Sequence, residues 1–288
     1  MQKTRISSIS IIGLGLIGAS VLRALKKSPL AIKQHILFKG YDSSFSDRDI
    51  ERIKELGLDS FETDSKQLYD ADLIILAAPV EANIKLLEEI RRHAPEHSLV
   101  SDVSSTKAAI ARRAEELELD FIGMHPIAGR EQRGYHASHD ELLAGKTVVL
   151  CADSETLSRP DTENLLELLQ SISCRITVMT PEEHDRIVAT ISHLPQLLST
   201  ALINYCEKDI DKSGPGFSTL TRLAGSSWEI WQDIVATNHE NIASELIGFS
   251  KNLEQLADDI RNNRMNRLRE QFEKANILYG KLTNRGCS

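Results

Sequence analysis

The sequence is poor in aromatic residues, 5% of 288, and it holds no long uninterrupted apolar run. None reaches the ~20 residues that a bilayer-spanning helix needs, which argues against a membrane protein. Charges mark Met1 to Arg5, but the Ile/Leu/Gly stretch that follows has no signal-peptide cleavage pattern. The four cysteines, Cys151, Cys174, Cys206 and Cys287, are scattered without a CxxC pair or a histidine at zinc spacing. Neither a metal site nor a disulfide framework is expected, and reduced thiols point to the cytoplasm. A basic surplus is missing too: 34 Lys+Arg against 42 Asp+Glu give a net charge of -8. That balance argues against nucleic-acid binding. There is no internal repeat and no low-complexity linker. What remains, 41% hydrophobic and 26% charged, is a globular chain of one large or two ordinary domains.

Strand-like and helix-like segments alternate through the first half. Ser8 to Ile12, His35 to Tyr41, Leu73 to Leu76 and Ser98 to Val103 read as strands, and Phe121 to Gly123 and Thr147 to Cys151 extend the set. Such alternation predicts βαβ units and a mostly parallel sheet. At Thr180 the character changes: a capping Thr, a Pro and two Glu open a helix. No convincing strand follows. Apolar residues recur at 3–4 spacing along Ile187, Ile191, Leu194, Leu198 and Leu202, along Ile242 to Ile260, and along Met265 to Leu282. These amphipathic stripes are expected to form core, and long helical halves also supply subunit interfaces. The expected fold is an α/β Rossmann-type domain, 1–178, followed by an all-α domain, 179–288.

Gly13-Leu14-Gly15-Leu16-Ile17-Gly18 fits GxGxxG, directly after a strand and at the start of a helix. In that context Gly13 permits the tight turn, Gly15 lets the backbone approach a pyrophosphate, and Gly18 lets helix and strand pack closely. Asp42 ends the second strand a little over 20 residues past Gly18. A carboxylate there accepts hydrogen bonds from ribose hydroxyls and repels a 2′-phosphate, so NAD is expected over NADP. Arg48 is near enough in sequence to keep NADP open.

Two further clusters fall where a doubly wound sheet presents its loops, Asp102 to Lys107 and Gly123 to Gly129 with Glu131 behind, and two more lie in the helical half, Ser192 to Pro195 and Gly216 to Arg222. His125, between a strand end and a proline, is a candidate base, since imidazole titrates near neutrality. His184 and His193 lie nine residues apart on one expected helix. At about 100° per residue they point to opposite sides, so they are not a chelating pair. Pro195 removes a helical hydrogen bond and predicts a kink.

Taken together and in order, GLGLIG, ILAAPV, DVSSTK, GMHPIAGRE, SHLPQ, TRLAGSS and IWQDI resemble the prephenate/arogenate dehydrogenase family of tyrosine biosynthesis, across roughly residues 8 to 240. The resemblance implies NAD(P)-dependent oxidative decarboxylation of a cyclohexadienol, with prephenate the expected substrate and arogenate the alternative. It places His125 as the base at the ring hydroxyl and Ser105 as the link between base, hydroxyl and cofactor. Arg222 would hold the ring carboxylate, His193 would face the substrate side chain, Glu131 would stand at the mouth of the site and Trp231 would form an apolar wall. Leu16 and Ile17 of the glycine loop, and Ala78 and Pro79 of ILAAPV, join Gly13, Gly15, Gly18 and Asp42 as expected cofactor residues. In the family the helical halves pair, so a homodimer is expected. Two departures bear on substrate preference: Thr219 stands where some relatives carry an Asp, and Arg130 where a smaller residue is usual. The chain reads as a monofunctional dehydrogenase, without a fused chorismate mutase or a regulatory β-α domain.

Two other readings compete. A β-hydroxyacid dehydrogenase also follows a Rossmann half with helices, but it relies on a lysine, and Lys251 and Lys274 sit on charged faces. A non-catalytic NAD-sensing module would leave His125, His193 and Arg222 unexplained.

Overall fold

The computed structural model describes residues 5–128, 132–152 and 154–284. Branched, uninterrupted apolar segments such as Ser8–Ile12 (β1) and Leu73–Leu76 (β4) suit parallel strands covered on both faces. They alternate accordingly. Ile9, Ile11, Leu73 and Ile75 enter one core layer with Phe38, while Ile12, Ile74 and Leu76 enter the opposite layer with Leu87 and Ile90.

The remaining strands are Leu37–Tyr41 (β2), Ser60–Phe61 (β3), Leu99–Asp102 (β5), Phe121–Pro126 (β6), Thr147–Cys151 (β7) and Arg175–Met179 (β8). They form one sheet in the order β3-β2-β1-β4-β5-β6-β7-β8. The first six follow the two-halved dinucleotide-binding order, whose switch point lies between β1 and β4. The β6–β7 pairing is antiparallel, whereas β7 and β8 pair parallel. After Met179 the described residues are helical, without a further strand. An α/β Rossmann-type sheet followed by an all-α segment is thus the observed architecture. Two compact units are present, Met1–His239 and Glu240–Ser288.

The structure departs from the sequence-based expectations in several places. Strand β2 starts at Leu37, because Pro29–Gln34 is a short helix capped by the Ser28 hydroxyl and closed by His35 in a left-handed conformation. Strands β3 and β8 were not expected; β3 is two residues long, and β8 is largely exposed at the sheet edge. Strand β6 runs on through His125 and Pro126, since its antiparallel partner β7 extends beyond its parallel partner β5. His125 therefore sits in a strand, opposite Val149, and not in a loop stiffened by proline.

Helix Pro181–Val188 continues through a π-helical turn, Ala189–His193, into helix Leu194–Tyr205. Pro195, in the first turn of that last helix, cannot donate a backbone hydrogen bond, and the widened turn beside it absorbs the loss. By length and composition the continuous run Pro181–Tyr205 is apolar enough to cross a membrane, contrary to the sequence expectation. Only part of it is buried within the chain, including His184, Asp185, His193 and Gln196. Its apolar stripe is only partly inward: Leu194 is buried and Ile187, Leu198 and Leu202 are half-buried, but Ile191 is 70% exposed. On helix Met265–Asn284 the expected core stripe is also outside, with Met265, Phe272, Tyr279 and Leu282 exposed in the single chain.

Candidate active site

The glycine loop leaves β1 at the switch point. Gly13 takes φ +91°, and a Cβ there would stand 2.6 Å from the Ala77 carbonyl carbon and Ala78 nitrogen at the end of β4. A Cβ on Gly18 would meet the Gly13 oxygen at 2.0 Å. Both positions demand glycine for packing within the chain. Gly15 is different: nothing lies within 4 Å of its added Cβ, so its side is open for a ligand's close approach. Gly15 is also the N-cap of helix Leu16–Lys27, which has no side-chain cap and no acid in its first turn. The uncapped N–H groups and the open face fit a dinucleotide pyrophosphate.

Asp42 follows β2, and both of its carboxylate oxygens are engaged within the chain. Its Oδ2 accepts the Leu14 backbone N–H at 2.8 Å, and its Oδ1 accepts the Ser44 N–H and hydroxyl at 3.0 and 2.6 Å. The carboxylate thereby ties the glycine loop to the end of β2. Arg48 lines a separate groove with Asp49, Arg52 and Tyr135.

A cleft of about 970 Å³ opens over these strand ends. Gly15, Leu16, Ile17, Ala78 and Pro79 line it, and so do Ser105, Arg222 and Trp231. Residues far apart in sequence thus share one cavity. Arg222 opens a short 3-10 turn, Arg222–Gly225, which is pinned by Gln196 Nε2 donating to the Leu223 carbonyl at 2.7 Å. Thr219 turns its hydroxyl to the Pro215 carbonyl at 3.0 Å, within its own helix. Gly13, Gly18 and Asp42 support the glycine loop without lining this cleft. Glu131, with Gly129 and Arg130, lies outside the described residues.

Half-buried His125 and buried His193 stand in a polar cluster joined to the cleft by Trp231, whose ring meets the His193 ring edge-on at 5.7 Å. The loop after β5 joins them too: Ser104 and Ser105 line the cleft, while the Lys107 N–H binds Asp185 at 2.7 Å. His125 Nδ1 and His184 Nε2 are 2.8 Å apart, and His184 Nδ1 is 2.8 Å from Asp185 Oδ1. Asn238 donates from Nδ2 to the Asp185 carbonyl at 2.8 Å and stands 3.3 Å from His193 Nδ1. Lys107, fully buried, pairs with the equally buried Asp102. Asn83 donates to the Ser104 hydroxyl at 3.0 Å and to the Ala78 carbonyl at 2.8 Å, bracing both loops at the cleft.

The cluster opposes positive charge on its histidines. Burial holds the His125 imidazole well below the ordinary range, reinforced by charge on His184, Lys107 and His193. For His193, burial lowers the pKa to about 4, with Asp185 pulling it up and His184 pushing it down. A neutral imidazole is the form a general base requires.

His184, Asp185, Lys107, Asn83 and Asn238 carry this geometry, and sequence reasoning assigned none of them a role. His184 and His193 are both buried, on either side of the π-helical turn, and they meet different partners: His184 contacts His125 and Asp185, whereas His193 contacts Asn238 and Trp231.

Family models match nearly the whole chain: the prephenate dehydrogenase nucleotide-binding domain over residues 28–178 and the prephenate dehydrogenase dimerization domain over 180–274. The chain belongs to the prephenate dehydrogenase family. A prephenate dehydrogenase of Lactococcus lactis subsp. cremoris is 30% identical over 265 residues, 86% of this chain and 70% of that protein. Among solved structures, prephenate dehydrogenase from A. aeolicus in complex with hydroxyphenyl propionate and NAD+ is 27% identical. It superposes with a TM-score of 0.87 over 96% of this chain and 98% of the other. Arogenate dehydrogenase of Synechocystis is 28% identical, with a TM-score of 0.81 over 93% and 97%. The chain is thus a family oxidoreductase with a nucleotide-binding domain and a dimerization domain.

Proposed function

We propose that the chain catalyses the NAD-dependent oxidative decarboxylation of prephenate to 4-hydroxyphenylpyruvate in tyrosine biosynthesis. The observation that carries this reading is one cleft lined by the glycine loop, Ser105, Arg222 and Trp231, beside a histidine held neutral by its surroundings. Gly13 to Gly18 would hold the pyrophosphate, Asp42 the adenosine ribose, and Ala78 and Pro79 the approach to the reacting end. NAD, when bound there, supplies the hydride acceptor. His125 takes the proton of the ring hydroxyl on Nε2, since Nδ1 is engaged with His184. Ser105 bridges hydroxyl and base. Arg222 binds the ring carboxylate that leaves as CO2, through a planar two-toothed contact that a lysine cannot copy. His193 and Trp231 enclose the side-chain end, and Glu131 stands at the mouth.

Prephenate is favoured over arogenate because Thr219 replaces an acid and turns away to Pro215. Free Cys151, Cys174 and Cys206 support a cytoplasmic location. A division into 1–178 and 179–288 is supported by the two family models, which meet between residues 178 and 180. The exposed apolar face of helix Met265–Asn284 supports a homodimer.

Steady-state kinetics with prephenate and arogenate, followed by NADH absorbance, tests the reading. Prephenate is expected to give the higher kcat/KM. A higher value with arogenate overturns the substrate, and no NADH with either overturns the reaction. Arg222→Lys is expected to raise KM for prephenate at least ~10-fold while NAD binding is kept, from the loss of charge-assisted hydrogen bonds of ~1.5–3 kcal/mol.

A further inference from the structure

Asp185 accepts on both oxygens. Oδ1 receives the Lys107 N–H at 2.7 Å and faces His184 Nδ1 at 2.8 Å, and Oδ2 receives the Ala108 N–H at 2.9 Å. An acceptor-only carboxylate requires the proton of the His184 contact to reside on Nδ1. A neutral His184 then carries its lone pair on Nε2, 2.8 Å from His125 Nδ1. His125 must donate in that bond, so its Nδ1 is protonated and its Nε2 is free to accept. Because His184 and Asp185 are each 1% exposed, water does not compete for these positions.

We infer that Asp185 and His184 are positioning residues that fix the reactive tautomer of His125 and take up its charge during turnover. The inference rests on the proposed role of His125 as base. The proton balance is simple. The substrate hydroxyl proton arrives on His125 Nε2, and the Nδ1 proton of His125 passes to His184 Nε2. His125 is again neutral, protonated on Nε2, and His184 is an imidazolium with its Nδ1–H on Asp185. Each step breaks one bond to hydrogen and makes another, and the positive charge ends beside a carboxylate. The groups facing His125 explain the direction of transfer: Lys107, paired with Asp102, disfavours a cation on His125 itself, as does His193. Asp185 contacts His184 and not His125.

The test combines the wild-type protein with three variants. In ¹⁵N spectra of the histidine-labelled, full-length wild type near neutral pH, His125 is expected to be protonated at Nδ1 and bare at Nε2; the reverse tautomer overturns the inference. Asp185→Asn is expected to lower kcat at least ~10²-fold with KM and NADH affinity within ~2-fold, as loss of a tautomer-setting carboxylate does elsewhere. The acid limb of the kcat profile should move to lower pH in both Asp185→Asn and His184→Gln, because each removes a group that stabilises the added proton, which a merely structural residue would not do. Wild-type turnover and pH profile in both, while His125→Asn is inactive, overturn the chain alone. An active His125→Asn overturns the base assignment and the chain with it. Where Asp185→Asn does not fold, His184→Gln and the wild-type spectra decide.

Discussion

At the scale of single residues, the site works by burial. Taking His125 out of water, beside Lys107 and two further histidines, removes the favourable hydration of its cation and leaves a neutral acceptor. The acid limb of kcat/KM is therefore expected below pH 6.5, the ordinary value for histidine. His125→Asn is expected to lower turnover by ~10²–10⁴-fold and to change substrate affinity much less. His193 links the same physics to stability. Its folded pKa, about 4, lies below the unfolded 6.5, so the unfolded chain binds the proton first as pH falls. The His193 contribution is thus fully present above pH 6.5 and is lost between there and about pH 4. From pH 7 to pH 5 the loss amounts to about 2 kcal/mol, and urea unfolding of the wild type and His193→Asn at both values measures it. The variant should lose less. Asp42 braces Leu14, beside the ribose contact proposed for it. Titration with both cofactors should give tighter binding of NAD than NADP; the opposite order would remove Asp42 from cofactor choice.

Among the elements, the glycine loop separates two reasons for glycine. Gly18 is demanded by the chain itself, since a Cβ would overlap the Gly13 oxygen. Gly18→Ala is expected to destabilise the fold by ~1–3 kcal/mol, as overpacking does, and to lower Tm. Gly15 has no such neighbour. Gly15→Ala should keep the wild-type Tm and weaken NAD binding, by roughly 10-fold if about 1.4 kcal/mol of backbone approach is lost. Equal loss of Tm in both variants would contradict the distinction. The π-helical turn Ala189–His193 plays a comparable role in the helical segment. By relaxing the helix ahead of Pro195, it turns His193 inward with His184 and sends Ile191 to solvent.

For the molecule as a whole, the exposed stripes matter most. Phe272 and Tyr279 are 71% and 67% exposed, a cost that a soluble monomer seldom bears on a long helix. Pairing of two chains through the helical part would bury them. Light scattering at micromolar concentration is expected to return about twice the 32.1 kDa of one chain. Phe272→Glu together with Tyr279→Glu should shift it toward the single-chain mass. A wild-type mass of one chain would contradict the homodimer.

Local chemistry was legible in the sequence. GxGxxG after a branched strand, an acid at the end of the next strand, and βαβ alternation are constrained by contacts within some thirty residues, so the spacing of glycines and apolar runs carries them. Ser105, Arg222 and Trp231 could be placed beside the glycine loop because their motifs resemble a family whose members share this fold. Tertiary structure alone decided the rest. Strand β6 reaches His125 only because β7 returns antiparallel beside it, and β3 is too short to leave a pattern. His184 turned from an isolated helical histidine into the partner of His125 only when its helix packed beside β6, 59 positions earlier in the chain. Asp185 owes its place to two backbone N–H groups of the loop after β5, 77 and 78 positions earlier in the chain. Periodicity records which residues share a face. Which partner meets that face is settled only when distant segments pack, and the histidine cluster is built from four of them.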